Sequence, residues 1–214
     1  MRDIARREDI RDLILDGVDV LLARYGFKKM TMEDLARQVG IGKGTIYLHF
    51  RGKEELTLAH IDRIAERLLG RLEAVARSAY PPDERLRKML AERVLFRFDS
   101  VTHYSQSLND LLSSVRKNLL ARREVHFEKE AAVFERVLRD GVQRRVLACP
   151  DPASAARVLV WSTNSLLPFS LTTRELGKRK EMEDRVSRIA DVLLKGLVRR
   201  PAPPSTRKRQ PECV

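Results

Sequence analysis

The side chains best placed to do chemistry sit close together, between Lys43 and Lys53. Lys43, Thr45, Tyr47 and His49 supply an ammonium, a hydroxyl, a phenol and an imidazole within seven residues. Ile46 and Phe50, four apart, form the apolar side of a short helix over about 43–50, which leaves those four polar groups looking outward. They are hydrogen-bond donors without a nucleophile–base pairing, so they suit contact with a groove lined by acceptors better than a reaction. Lys53 stands at the start of the next helix, where free N–H groups can also meet a phosphate.

Elsewhere the chain offers little for catalysis. His49, His60, His103 and His126 have no metal-ligand spacing with one another or with Cys149 and Cys213. There is no glycine-rich phosphate loop and no nucleophile motif. Glu124, Glu128 and Glu135 near His126 have the spacing of a solvated helix face. No catalytic residue, cofactor or metal is expected.

The polar cluster must be held by what precedes it. Thr31 has the chemistry of an N-cap, with Asp34 in the capping-box position, and Leu35, Ala36 and Val39 form one apolar stripe. Gly40-Ile41-Gly42 interrupts that helix, since Gly40 can adopt the left-handed conformation that ends it. Two short helices joined by a tight turn make a helix-turn-helix. A longer helix over about 4–25, with Ile10, Leu13, Ile14, Val18, Leu21, Leu22 and Tyr25 at helical spacing, precedes the pair. Gly17 lies on that face, where it permits a close helix crossing, and Gly26 ends the helix.

The stretch Thr31–Leu56 reads T-M-E-D-L-A-x-x-V-G-I-x-K-G-T-I-Y-x-H-F-x-x-K-E-E-L. It resembles the DNA-binding signature of TetR-family transcriptional regulators. The resemblance implies that Lys43, Tyr47 and His49 meet phosphates, with Gly44 and Thr45 close to base edges. It places Thr31 and Lys53 on the phosphate backbone too. One position departs: Gly42 stands where the family usually has Ser or Thr capping the second helix, a loss of a few tenths of a kcal/mol or so.

The net charge is +12, yet residues 1–60 hold 11 Lys+Arg against 10 Asp+Glu. Bulk basicity therefore does not carry the DNA reading, and a non-specific DNA-packaging protein is the alternative it would favour. Apolar residues make up 43% of the 214, enough for a core. No run of 18 apolar residues spans a membrane and the N-terminus lacks a signal-peptide core, so a cytoplasmic location is expected.

Beyond the motif the chain reads as all-α. A connector helix, about 54–79, ends at Tyr80-Pro81-Pro82. Five segments follow, at about 83–98, 103–115, 117–147, 152–171 and 181–199. The expected division is a three-helix DNA-binding head (1–60), a helical effector-binding and dimerisation bundle (61–199) and a disordered basic tail (200–214). Between bundle helices a pocket needs apolar walls and a few polar groups. Phe96, Tyr104, Leu108, Leu112, Phe127, Trp161 and Asn164 are the candidates for an apolar small-molecule effector. The apolar last two segments point to a homodimer, whose two heads would read two half-sites of double-stranded DNA.

Overall fold

A computed structural model of the chain describes residues 2–171 and 173–197. The expected tail, with Arg207-Lys208-Arg209, lies outside them, as does the end of the last expected helix. Among the described residues the chain forms helices and turns and no strand.

Helix α1 (Arg2–Lys29) bends at Gly26, whose φ of 70° is left-handed. Its buried face is Ile14, Leu15, Val18, Leu21 and Leu22, while Leu13 and Tyr25 turn out to solvent. Helix α2 (Met32–Val39) crosses it at Gly17. A Cβ built on Gly17 would lie 2.5 Å from Val39 Cγ2 and 3.0 Å from Leu35 Cδ1, so the two helices approach over a bare backbone. Gly17→Ala would gain about 1 kcal/mol in helix propensity. It must also displace a β-branched side chain, and such overpacking typically costs about 1–3 kcal/mol. A net loss of stability is expected, visible as a melting midpoint several degrees lower. An unchanged or higher midpoint would show that the crossing has slack.

Helix α3 (Lys43–His49) and helix α4 (Lys53–Ala76) complete the N-terminal part. The connector α4 continues past Leu56 and Ala59 into the body, where Leu68 and Leu72 are fully buried. Helix α5 (Pro82–Val101) begins on a proline at its first position, where the missing N–H is harmless. A 3-10 turn over Thr102–Ser107 leads into α6 (Leu108–Gln143). The two segments expected at 103–115 and 117–147 are thus one 36-residue helix behind a tighter turn.

The expected helix over 152–171 is broken. Helix α7 (Pro152–Ser162) stops where Ser162 Oγ donates to Leu159 O at 2.8 Å and Thr163 Oγ1 to Val160 O at 3.2 Å. Two short 3-10 turns follow, Asn164–Leu166 and Pro168–Ser170. Leu167 between them is extended (φ −84°, ψ 147°), because a residue before proline is pushed out of the helical region. Helices α8 (Thr173–Leu176) and α9 (Arg179–Leu197) close the described chain. Helix α9 packs on α5, α7 on α6, and α6 on the connector α4. Buried apolar side chains from Ile14 to Leu194 form one continuous core.

Candidate nucleic-acid interface and the cavity behind it

The turn between α2 and α3 is fixed by local chemistry. Thr31 Oγ1 accepts from the Asp34 N–H at 3.0 Å, and Asp34 Oδ2 accepts from the Thr31 hydroxyl at 2.6 Å and from its N–H at 3.2 Å. That hydroxyl bond leads the effects that hold the Asp34 carboxyl below its usual range. The Thr31 hydroxyl proton is therefore already committed, and what this end of α2 offers outward is its remaining backbone N–H groups. Gly40 caps α2 in the left-handed region (φ 75°, ψ 28°), donating to Ala36 O at 3.0 Å.

Helix α3 starts at Gly42, which is extended and makes no side-chain cap. Ile46 and Phe50 are completely buried. Lys43 and Gly44 are exposed, Thr45 and His49 half-buried, and Tyr47 is exposed. Gly44 has open space where a side chain would stand, so a ligand backbone or base edge can approach its main chain closely. Lys43 sits 3.9 Å from Glu33 in a solvent-exposed pair, which is weak and easily exchanged.

Two residues at this face were not singled out in the sequence. Leu48, 75% exposed, is the most exposed large apolar side chain in the helix-turn-helix. Its signal was available: it lies about 200° around the helix from both Ile46 and Phe50. Arg11 of α1 reaches across to donate to His49 O at 3.4 Å and stacks 4.4 Å from the centre of the Phe50 ring. A cation there donates to a carbonyl at the C-terminal end of α3. It comes from 38 residues away, so no local pattern announces it.

Lys53 is placed differently from the exposed α3 side chains. Its Nζ lies 4.2 Å from the Phe27 ring centre and donates to Lys28 O at 3.3 Å, and burial lowers its pKa. In this conformation it ties the start of α4 to the end of α1.

The junction between this head and the body is polar and buried. Arg63 of α4 donates to Asp12 O at 3.1 Å, Asp16 Oδ1 at 2.7 Å and Asp19 Oδ2 at 3.2 Å, clamping α4 to α1. Beside it His60 Nε2 meets Tyr104 Oη at 3.2 Å and Asp19 Oδ1 at 3.5 Å. Burial is the main cause that lowers His60 to about 4, and Asp19 opposes it only in part. Burial, with Asp19 beside it, pushes the Tyr104 phenol up.

Tyr104 also opens onto a cavity between α4, α5, α6 and the Pro168 turn. Ile61, Ile64, Leu108, Leu111, Phe127 and Phe169 supply its apolar walls. Of the residues expected to form a pocket, Tyr104, Leu108, Leu112 and Phe127 line it. Three do not. Phe96 faces a separate depression, under Arg71. Trp161 is 58% exposed on α7, because its position on the helix turns it away from the buried Ala156 and Leu159. Asn164 lies behind the cavity, its Oδ1 accepting from Arg93 Nη2 at 2.8 Å.

Arg93 belongs to a buried network. Its Nε donates to Glu130 Oε2 at 2.6 Å and its Nη1 to Thr163 Oγ1 at 2.5 Å, while Arg97 binds the other Glu130 oxygen. Burial lowers Arg93 to about 10 against the pull of Glu130. Burial alone would raise the Glu130 carboxyl, but Arg97 and Arg93 outweigh it and the net direction is down.

Residues 14–60 match the family model described as bacterial regulatory proteins, tetR family. The whole fold has solved counterparts. A transcriptional regulator from Cytophaga hutchinsonii superposes with a TM-score of 0.73 at 21% identity, covering 88% of this chain and 98% of that one. A TetR-family structure from Mesorhizobium loti gives 0.70 at 17%, covering 90% and 98%. Residues 14–60 are a TetR-family helix-turn-helix region. Among curated relatives, the HTH-type transcriptional regulator YhgD of Bacillus subtilis is 27% identical over 159 residues, 71% of this chain and 79% of YhgD. An HTH-type regulator of Haemophilus influenzae is 31% identical over 83 residues, 39% of this chain and only 44% of that protein. An HTH-type transcriptional repressor of Mycobacterium tuberculosis matches at 38% over 58 residues, 27% of this chain and 31% of that repressor. The chain's head is thus a helix-turn-helix of the kind that bacterial transcriptional regulators carry. Among its described residues no helix is long and apolar enough to cross a membrane.

Proposed function

We propose that the chain is a homodimeric repressor that grips a palindromic operator through α3 and releases it when a small molecule enters the body cavity. The exposed face of α3 carries this reading. It offers Lys43, Gly44, Thr45, Tyr47, Leu48 and His49 together, with nothing from the core among them. Lys43, Tyr47 and His49 are the phosphate contacts, and Thr45 and the open backbone at Gly44 approach the bases. Leu48 has the character to meet a thymine methyl. The end of α2 at Thr31 and the start of α4 at Lys53 flank that face, and Lys53 reaches a phosphate only by leaving Phe27.

The division of labour falls near residue 60, with the head before it and the effector and dimer body after it. Val158 and Trp161 on α7 and Val192 on α9 are large apolar side chains left exposed, as a partner copy would need. A second copy places two α3 helices on successive half-sites.

The cavity supports the release step. Its volume is about 80 Å³, below the roughly 300–1,000 Å³ of pockets that hold drug-sized ligands. A ligand of ordinary size must push α4 away from α6, and α4 begins in the head. Binding therefore prefers a conformation other than this one, which is what a switch requires.

The test is a duplex selected from a randomised pool by the protein itself. Tyr47→Ala is expected to weaken binding to it about tenfold, or ~1.4 kcal/mol, with melting almost unchanged because Tyr47 is exposed. A collapse of the fold would make Tyr47 structural. Equal wild-type affinity for the selected duplex and for random DNA at physiological salt would overturn operator reading altogether.

A further inference from the structure

The cavity is apolar, yet the charges around it are unbalanced in one direction. Its lining includes Arg97, Arg123 and His126 and no aspartate or glutamate. The acids that touch its Arg97 and His126 are already occupied. Glu130 is held by both Arg93 and Arg97, a buried triad that keeps one positive charge in excess. Asp62 is held by Arg122 and by His126 Nε2 at 2.9 Å.

Arg123 is the odd one out. Among the described residues no carboxylate pairs with it. Its guanidinium instead lies 5.7 Å from the Phe127 ring centre and 5.2 Å from that of Phe169. Arg93 stands over the same Phe127 ring at 4.8 Å, so two guanidiniums converge on one aromatic wall. Next to the cavity is a second depression that shares Leu112, Leu119, Arg123 and Phe169 with it and adds Arg116. Arg116 and Arg123 are seven apart on α6, two turns along one face. Arg116 is exposed and has no acidic partner among the described residues either.

We infer that the cavity takes an amphipathic organic anion. An apolar body lies between α4 and α6, against Ile61, Ile64, Leu108 and Leu111, and a carboxylate or phosphate head rests on Arg123 with Arg116 beside it. A fork-shaped guanidinium stacked on rings and lacking an acid is preorganised for a planar oxyanion, and bidentate pairing would fix the ligand's direction. The apolar body supplies burial, and the head supplies selectivity. An uncharged ligand would leave the excess positive charge uncompensated, and a cationic one would add to it. This inference rests on the cavity being the effector site.

The experiment uses the full chain and four probes with one ten-carbon body: decanoate, decyl phosphate, decanol and decylamine. Binding is read by titration calorimetry below the micelle concentrations, and release by displacement of the selected duplex. Decanoate or decyl phosphate, whichever head fits, is expected to bind at least tenfold more tightly than decanol, and decylamine not at all. The ratio of the first two identifies the head. Arg123→Gln should abolish that tenfold preference while leaving decanol affinity as it was, and Arg123→Lys should keep part of it. Decanol binding as tightly as both anions, or anion binding untouched by Arg123→Gln, overturns the inference and leaves the effector cavity standing. Arg123-dependent binding of an anion without DNA release upholds the inference and overturns the ligand-responsive reading instead. No binding by either anion overturns the inference.

Discussion

Glu130→Gln is expected to cost about 3–5 kcal/mol, because it breaks a buried ion pair from one side and strands the charges left behind. Glu130 is 1% exposed and Arg93 is fully buried. A single carboxylate serves two guanidiniums, Arg93 through Nε and Arg97 through Nη2. Glutamine keeps the shape and one acceptor oxygen, but it cannot offset a charge. Arg93 would keep Thr163 and Asn164, which are neutral. For a domain of this size each kcal/mol moves the midpoint by about 2–4 °C, so a drop on the order of 10 °C is expected at fixed protein concentration. The complementary variant removes the whole network: Arg93→Met with Arg97→Met and Glu130→Leu should recover most of the loss. A well-packed apolar replacement of a buried ion triad is often neutral or stabilising. A Glu130→Gln loss under about 1 kcal/mol would mean that the triad is solvated enough to screen itself.

The network also shows why some of the molecule was legible in its sequence and some was not. Thr31 and Asp34 are three residues apart, and capping geometry is decided within that distance. The turn at Gly40 is equally local, and so is the outward face of α3, which follows from Ile46 and Phe50 alone. Gly17 marked a close crossing because a glycine on an apolar helix face has few other uses. The pairings that join distant segments had no such signal. Arg93 and Glu130 are 37 residues apart and His60 and Tyr104 are 44 apart, and on the sequence each is one more charged or polar residue on a helix. Nothing local in α1 announces that Arg63 of α4 collects Asp16 and Asp19.

The error at Trp161 has a different origin. Apolar content alone predicts one long helix over 152–171, but Pro168 opposes it. Once Leu167 is forced out of the helical region, the segment becomes two turns. Phe169 then enters the cavity wall in place of Trp161. Sequence reasoning expected an effector pocket between bundle helices, and four of the residues it named line the cavity there. It missed the arginines that give the pocket its charge, because unpaired and paired arginines look alike on a helix.

His60 should make the protein lose stability on mild acidification. The folded state keeps this imidazole neutral down to about 4, with burial as the leading cause and Arg63, His103 and Arg67 adding to it against Asp19. An unfolded chain takes up the proton near the ordinary value of about 6.5. Between those two limits the unfolded state binds more protons, so unfolding becomes easier as pH falls, at roughly 1.4 kcal/mol per pH unit. Below about 4 both states are protonated and this contribution stops changing, for a total on the order of 3 kcal/mol. Measuring the chemical-denaturation midpoint from pH 7.5 to 4.5 checks it, with His60→Gln as the reference. Glutamine can still bond to the Tyr104 hydroxyl and has no proton to gain. The difference between the two proteins should shift toward the variant as pH drops through 6.5, and parallel curves would show that His60 titrates normally. The position matters beyond stability. His60 lies where α1, α4 and the Thr102–Ser107 turn meet, and its Nδ1 is buried without a partner among the described residues. A second proton there would be buried without an acceptor, so acid weakens the packing of α4 against α1 at this point.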